Sequence, residues 1–143
     1  MKKVIIDTNV IVSSLIQKSF PYKIMTELFI DNKIILCVSK ELMQEYYEVL
    51  QRPKFEAYYD FLVRAKSLLV DIEAKATKYT PLISLDIISD KNDNKILELA
   101  DVSNAEYIIT GNTNDFTLSK YKNTKIVTPK EFWLNFEYQM FYN

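Results

Sequence analysis

Apolar positions along the chain come in two rhythms. Val4-Ile5-Ile6, Ile34-Ile35-Leu36-Cys37-Val38, Tyr107-Ile108-Ile109 and Ile126-Val127 are short consecutive runs rich in β-branched residues, while much of the chain between them carries apolar residues three and four apart. Consecutive runs suit strands covered on both faces, as in a parallel sheet, and the wider spacing suits amphipathic helices. In chain order the pattern predicts a strand stopping at Asp7, a helix over Asn9 to Leu15, a break at Phe20-Pro21 and a second amphipathic helix to about Asp31. A strand from about Lys33 to Val38 follows, then a helix capped by Ser39 and stopped at Arg52-Pro53, with Glu41 in its first turn where the helix dipole favours negative charge. A longer helix is expected over about Phe55 to Lys75, with Tyr58, Phe61, Leu62, Leu68 and Leu69 packing the core.

Further on, Leu82 to Ile88 reads as a short extended piece, and the polar run Ser89 to Asn94 leads into a helix from Lys95 to about Val102. Tyr107 to Thr110 and Lys125 to Thr128 read as strands, and Pro129 opens the final helix, a position where proline is well tolerated. This alternation predicts an α/β fold, a three-layer α/β/α sandwich with a mainly parallel central sheet, in a single domain over residues 1–143.

Composition narrows the chemistry. The 143 residues, 48% of them hydrophobic, suffice for one sizeable core. Lys+Arg 18 against Asp+Glu 19 leaves a net charge of -1, so contact with nucleic acid needs a local patch rather than an overall basic field. Lys2-Lys3 resembles the opening of a signal peptide, but Asp7 interrupts the apolar run and no small-residue cleavage pattern follows; a cytoplasmic protein without a membrane partner is expected. The one cysteine, Cys37, lies in an apolar run and reads as a buried inert thiol, and a disulfide framework is impossible. The chain has no histidine, which removes Ser-His-Asp triads, His-ligated zinc and imidazole bases. Its one glycine, Gly111, leaves no Gly-rich phosphate loop.

Carboxylates, by contrast, recur at comparable points: Asp7 after the first strand, Glu45 in the helix after the second, Asp90 and Asp93 at a helix start, and Asp115 after the Tyr107 strand. In a parallel sheet strand ends share one edge, the edge at which open α/β sheets bind ligands. Two unit charges about 4 Å apart repel by roughly 4 kcal/mol at an effective dielectric of 20, so gathered acids need a positive partner. With no arginine expected near them, a divalent ion is the simplest one, and oxygen ligands suit Mg2+ or Mn2+. Such an ion can activate water and stabilise a leaving oxygen, which points to phosphodiester cleavage.

These residues resemble the PIN-domain ribonucleases, in particular their toxin-like bacterial branch. The resemblance is carried by Ile6-Asp7-Thr8-Asn9-Val10, Ser39-Lys40-Glu41-Leu42-Met43-Gln44-Glu45, Asp90-Lys91-Asn92-Asp93-Asn94-Lys95, Thr110-Gly111-Asn112-Thr113-Asn114-Asp115-Phe116 and Thr128-Pro129-Lys130-Glu131-Phe132. It implies metal-dependent RNA cleavage, with Asp7, Glu45 and Asp93 as core acids and Asp90 as an auxiliary carboxylate. Where many relatives place aspartate directly after Thr-Gly, this chain has Asn112, whose amide oxygen brings no charge; Asp115 is the substitute three residues on. Thr8 and Thr110 are candidates to orient acids, water or substrate, Asn9 to cap the first helix or contact the site, and Lys91 and Lys95 to contact RNA phosphates. Such toxins usually form homodimers and are blocked by a small antitoxin protein.

Other roles stand beside these. Asp7 can be a helix cap, Glu45 a solvated charge like Glu41 and Glu48, Asp115 the start of an Asx-turn, and the lysines, including Lys120, Lys122 and Lys125, solvated surface. An aspartyl-phosphate phosphatase would need a second aspartate where the chain has Asn9, and a response-regulator receiver would need paired acids where Ile6-Asp7 supplies one. A PIN-like binding or assembly module with weakened catalysis is the rival of another class, and Asn112 is its main support.

Overall fold

The β-branched run behind the two N-terminal lysines makes the central strand. In the structure, a computed structural model describing residues 1–86, 91–111 and 119–142, β1 (Lys2–Ile6) has Val4, Ile5 and Ile6 fully buried. It pairs in parallel with β2 (Ile34–Val38) on one side, through Val4↔Leu36, and with β4 (Tyr107–Ile109) on the other, through Ile6↔Ile109. Outside them stand β3 (Thr77–Lys78), parallel to β2, and β6 (Thr124–Val127), parallel to β4, with β5 (Lys120–Tyr121) antiparallel at the edge. Among the described residues the six strands run in the order β3-β2-β1-β4-β6-β5, the mainly parallel sheet expected.

Helices cover both faces. The chain passes through α1 (Thr8–Ile16), α2 (Phe20–Lys23) continued by a π-helical segment (Ile24–Phe29), α3 (Lys40–Leu50), α4 (Phe61–Lys75), α5 (Lys91–Ser103) and α6 (Pro129–Tyr142). Parallel crossovers are right-handed, so the outward steps β1→β2→β3 put α1 to α4 on one face and the return β3→β4 puts α5 on the other. Consistent with this, α1 packs on α2, α3 and α4, α2 packs on α6, and α5 packs on β1 and β2.

Three expectations change. The helix foreseen over Phe55–Lys75 is split: Pro53 opens a 3-10 turn (Pro53–Ala57), and Asp60 takes a left-handed conformation (φ 55) before α4 begins. The buried stripe of α4 is Phe61, Ala65, Leu68, Leu69 and Ile72, so Leu62 falls off it and is 43% exposed, as is Tyr58 ahead of the helix. Leu82 to Asp86 form no strand, and the rest of that expected piece lies outside the described residues. The outer strand is β3 instead, two residues long and too short to carry a period. The helix expected from Lys95 starts one turn earlier, at Lys91, which brings Asp93 inside its first turn.

Cys37 is fully buried in β2, and burial pushes its thiol up to about 11, partly offset by Ser103, Lys3 and Tyr79. A thiol raised in the folded state adds stability that is complete below the unfolded value of about 8.5 and is lost as the pH rises toward the folded one. Native protein should therefore resist a thiol-labelling reagent near pH 8 and react once unfolded in urea. Stability should fall from about pH 8.5 upward, with Cys37→Ala removing part of that slope. Rapid labelling of the native protein would contradict this placement.

Candidate active site

Because β1, β2 and β4 are parallel neighbours, the residues that follow them, Asp7, Ser39 and Thr110, emerge at one edge of the sheet. Asp7 extends the pairing by one rung: its N–H donates to the Ile109 carbonyl at 2.9 Å. Its backbone occupies the N-cap position of α1, with φ -62 and ψ 146, yet its side chain makes no capping bond. Instead the Thr110 hydroxyl donates to Asp7 Oδ2 at 2.8 Å. Thr110 is fully buried and its own N–H is tied to the Val127 carbonyl at 2.9 Å, so the donor is held from two strands. The cap position is thus filled by an aspartate whose carboxylate is turned toward the end of β4.

Glu45 is delivered by α3. Ser39, directly after β2, caps that helix by accepting the Leu42 N–H at 3.1 Å. Leu42, Met43, Tyr46, Val49 and Leu50 form the buried stripe, which leaves Glu45 half-buried at its margin. The buried Thr8, next to Asp7, donates its hydroxyl to Glu45 Oε2. Tyr46, completely buried, donates to the Ile6 carbonyl. Burial, then the negative charges of Asp7 and Glu45, hold the Tyr46 phenol well above its ordinary range. Both carboxylates therefore stand within electrostatic reach of one phenol, and each receives a threonine hydroxyl.

Next to Glu45 opens a cavity of about 320 Å³ lined by Glu41, Gln44, Glu48, Arg52 and Lys95 among others. Glu41, Glu45 and Glu48 follow one another at helical spacing on α3, and Arg52, two residues past the end of that helix, lines the same cavity. The expectation that no arginine lies near the acids is thereby corrected. Arg52 follows the end of α3, where its N–H donates to the Val49 carbonyl at 3.2 Å before Pro53 opens the next turn, so the helical pattern gives no spacing that places it. Lining the cavity does not separate Glu45 from Glu41 and Glu48; the hydrogen bond to Thr8 does.

The other anticipated residues fall as follows. α5 ends near the start of β1, where Lys3 Nζ reaches the Ser103 carbonyl at 3.4 Å, so its first turn lies toward the opposite edge, that of Asp7. Asp93 is half-buried in that turn, and the exposed Lys95 lines the Glu45 cavity. Asn9 is exposed as the second residue of α1. Asp90, Asn112 and Asp115 lie outside the described residues, as does the side chain of Lys91. Among the described residues no three of the metal-ligating side chains group as one ion's ligands. Asp7 and Glu45 nevertheless supply oxygen donors of the type that suits Mg2+ or Mn2+, ions that commonly take one or two carboxylates and complete their shell with water and phosphate oxygens.

Residues 3–114 match the PIN domain, and the chain belongs to the PIN-domain family. It is 32% identical over 144 residues to the uncharacterized protein MJ1680 of Methanocaldococcus jannaschii, across 94% of this chain and 92% of that one. In fold it is similar to a chain in the crystal structure of VapBC2 from Rickettsia felis bound to a DNA fragment from their promoter. There the TM-score is 0.56 at 17% identity, over 87% of this chain and 96% of that one.

The Thr110–Asp7 bond can be weighed directly. Thr110→Val keeps the shape but leaves the carboxylate without that donor, and should cost about 1–3 kcal/mol in urea unfolding. In an Asp7→Ala background the same change should cost markedly less. Equal losses in both backgrounds would show that the hydroxyl serves packing rather than Asp7.

Proposed function

We propose that this chain is a Mg2+- or Mn2+-dependent endoribonuclease and the toxin of a toxin–antitoxin pair. The observation that carries the reading is the placement of Asp7 and Glu45 at the carboxyl edge of the sheet, each engaged by a threonine hydroxyl and Asp7 turned away from the capping role its backbone offers. Membership of the PIN-domain family supports nuclease chemistry, and the fold shared with a VapBC2 chain supports the toxin role.

On this reading Asp7, Glu45 and Asp93 hold the ion, and Asp90, Asp115 and Asn112 complete the site. When bound, the ion would supply charge stabilisation for a phosphodiester transition state and a more acidic water. Thr8 and Thr110 orient Glu45 and Asp7 through the bonds they already make. In this proposal Lys95 and Arg52, both on the Glu45 cavity, contact RNA phosphates, with Lys91 and Asn9 as further contacts. A single domain over 1–143, a homodimer, a small antitoxin protein and action in the cytoplasm complete the proposal; no described helix is long and apolar enough to cross a membrane. The second reading, a binding module with weakened catalysis, draws on the lack of a three-ligand group among the described residues and on the uncharged Asn112.

The test is cleavage of a mixed-sequence single-stranded RNA by wild type and Asp7→Asn, each with Mn2+, Mg2+ or chelator. Wild type alone should cleave, and only with metal. Asp7→Asn should fold with unchanged or slightly higher stability in the absence of metal, because one repelling charge is gone. Equal cleavage by both proteins would reveal a contaminant, and no cleavage by either would favour the binding module.

A further inference from the structure

Tyr46 belongs by spacing to the apolar stripe of α3, where leucine or phenylalanine would pack as well. A buried hydroxyl is costly unless it is bonded, so what the oxygen adds here is its bond to the Ile6 carbonyl. That carbonyl belongs to the peptide linking Ile6 to Asp7. The peptide is trans, so its N–H and C=O point in opposite directions. The N–H, on Asp7, reaches across to Ile109 of β4. The C=O therefore faces the β2 side, past the last β1–β2 partners at Val4↔Leu36, and there it meets the Tyr46 hydroxyl.

The peptide from which Asp7 departs is thus gripped from both sides, by the backbone of β4 and by a side chain of α3. The residue before Tyr46 is Glu45, itself bonded to Thr8, the residue after Asp7. Two parallel links, Tyr46 to Ile6 and Glu45 to Thr8, straddle Asp7 and join α3 to the β1–α1 junction.

We propose that Tyr46 is a positioning residue whose hydroxyl, by fixing the Ile6–Asp7 peptide relative to α3, sets the spacing between the Asp7 and Glu45 carboxylates. The role rests on the reading of those two acids as ligands of one ion. Its logic is that of supporting groups around a metal, whose loss typically lowers affinity about 10–100-fold while the ligands remain in place.

The experiment compares wild type, Tyr46→Phe and, as a control at the opposite edge, Tyr121→Phe, which removes the hydroxyl bonded to Asp101. Amide hydrogen exchange is followed residue by residue in metal-free protein, and Mn2+ binding is measured by calorimetry. Tyr46→Phe should speed exchange at the Asp7 amide at least tenfold beyond any global change while Tyr107 and Ile108 follow the global change, and should weaken Mn2+ binding roughly 10–100-fold. Tyr121→Phe should do neither. A uniform rise in exchange across the sheet with unchanged Mn2+ affinity would make Tyr46 a packing residue and overturn the proposal. Wild type that takes up no Mn2+ would refute the ion site, and the exchange at Asp7 would still judge the clamp. Should Tyr46→Phe fail to fold, the wild type decides. A slowly exchanging Tyr46 hydroxyl proton close to the Asp7 amide in the NMR spectrum supports the clamp, and a freely exchanging one refutes it.

Discussion

The Ile6–Asp7 peptide is the point on which the site depends. β1 must stop there, because the next residue starts α1, yet the strand pairing runs one rung further through the Asp7 N–H and the Ile109 carbonyl. That bond makes the first residue beyond the strand as well located as the strand itself. Everything that gives Asp7 a chemical direction, including the Thr110 hydroxyl, the Tyr46 hydroxyl on the preceding carbonyl and the Thr8–Glu45 link, is referred to that rung. A carboxylate on an ordinary surface loop would have more rotational freedom and no fixed partner.

Placing two carboxylates near each other opposes folding in the absence of a cation. The structure moderates the cost with hydroxyl donors, which take the place of water on the carboxylate oxygens. Threonine suits this task at both positions. Its hydroxyl donates without adding charge, and its methyl group lies in surroundings that bury Thr8 and Thr110 almost completely. Positive charge enters from Arg52 and Lys95 on the adjoining cavity, where Glu41 and Glu48 counter it. The local field is therefore mixed rather than uniformly basic.

Much of this was legible in the residue pattern, for physical reasons. The strands at Val4, Ile34 and Tyr107 are buried on both faces, so their composition announces them, and at Ile126 the burial alternates with the exposed Lys125. Ser39 declares its cap because serine ahead of an apolar stripe has few better uses. What the pattern missed rests on interactions without a period. β3 and β5 are two residues each, and the left-handed turn at Asp60 interrupts an apolar spacing that otherwise continues. The early start of α5 lies in a polar run in which Asp93 looks like a cap. Tyr46 sits on an apolar stripe and its hydroxyl leaves no trace in that spacing, and Arg52, beyond the end of α3, has no helical spacing to tie it to Glu45. Asp90, Asn112 and Asp115 lie outside the described residues, so the far side of the site stands on resemblance.

The central claim is that Asp7 and Glu45 are ligands of the same divalent ion. Its most direct test is a crystal structure of the protein equilibrated with Mn2+, with diffraction data collected where manganese scatters anomalously. An anomalous peak is expected at the carboxyl edge of the sheet, in direct contact with oxygens of both Asp7 and Glu45. Well-ordered side chains with no peak between them, or a peak bound only to other acids such as Glu41 and Glu48, would contradict it.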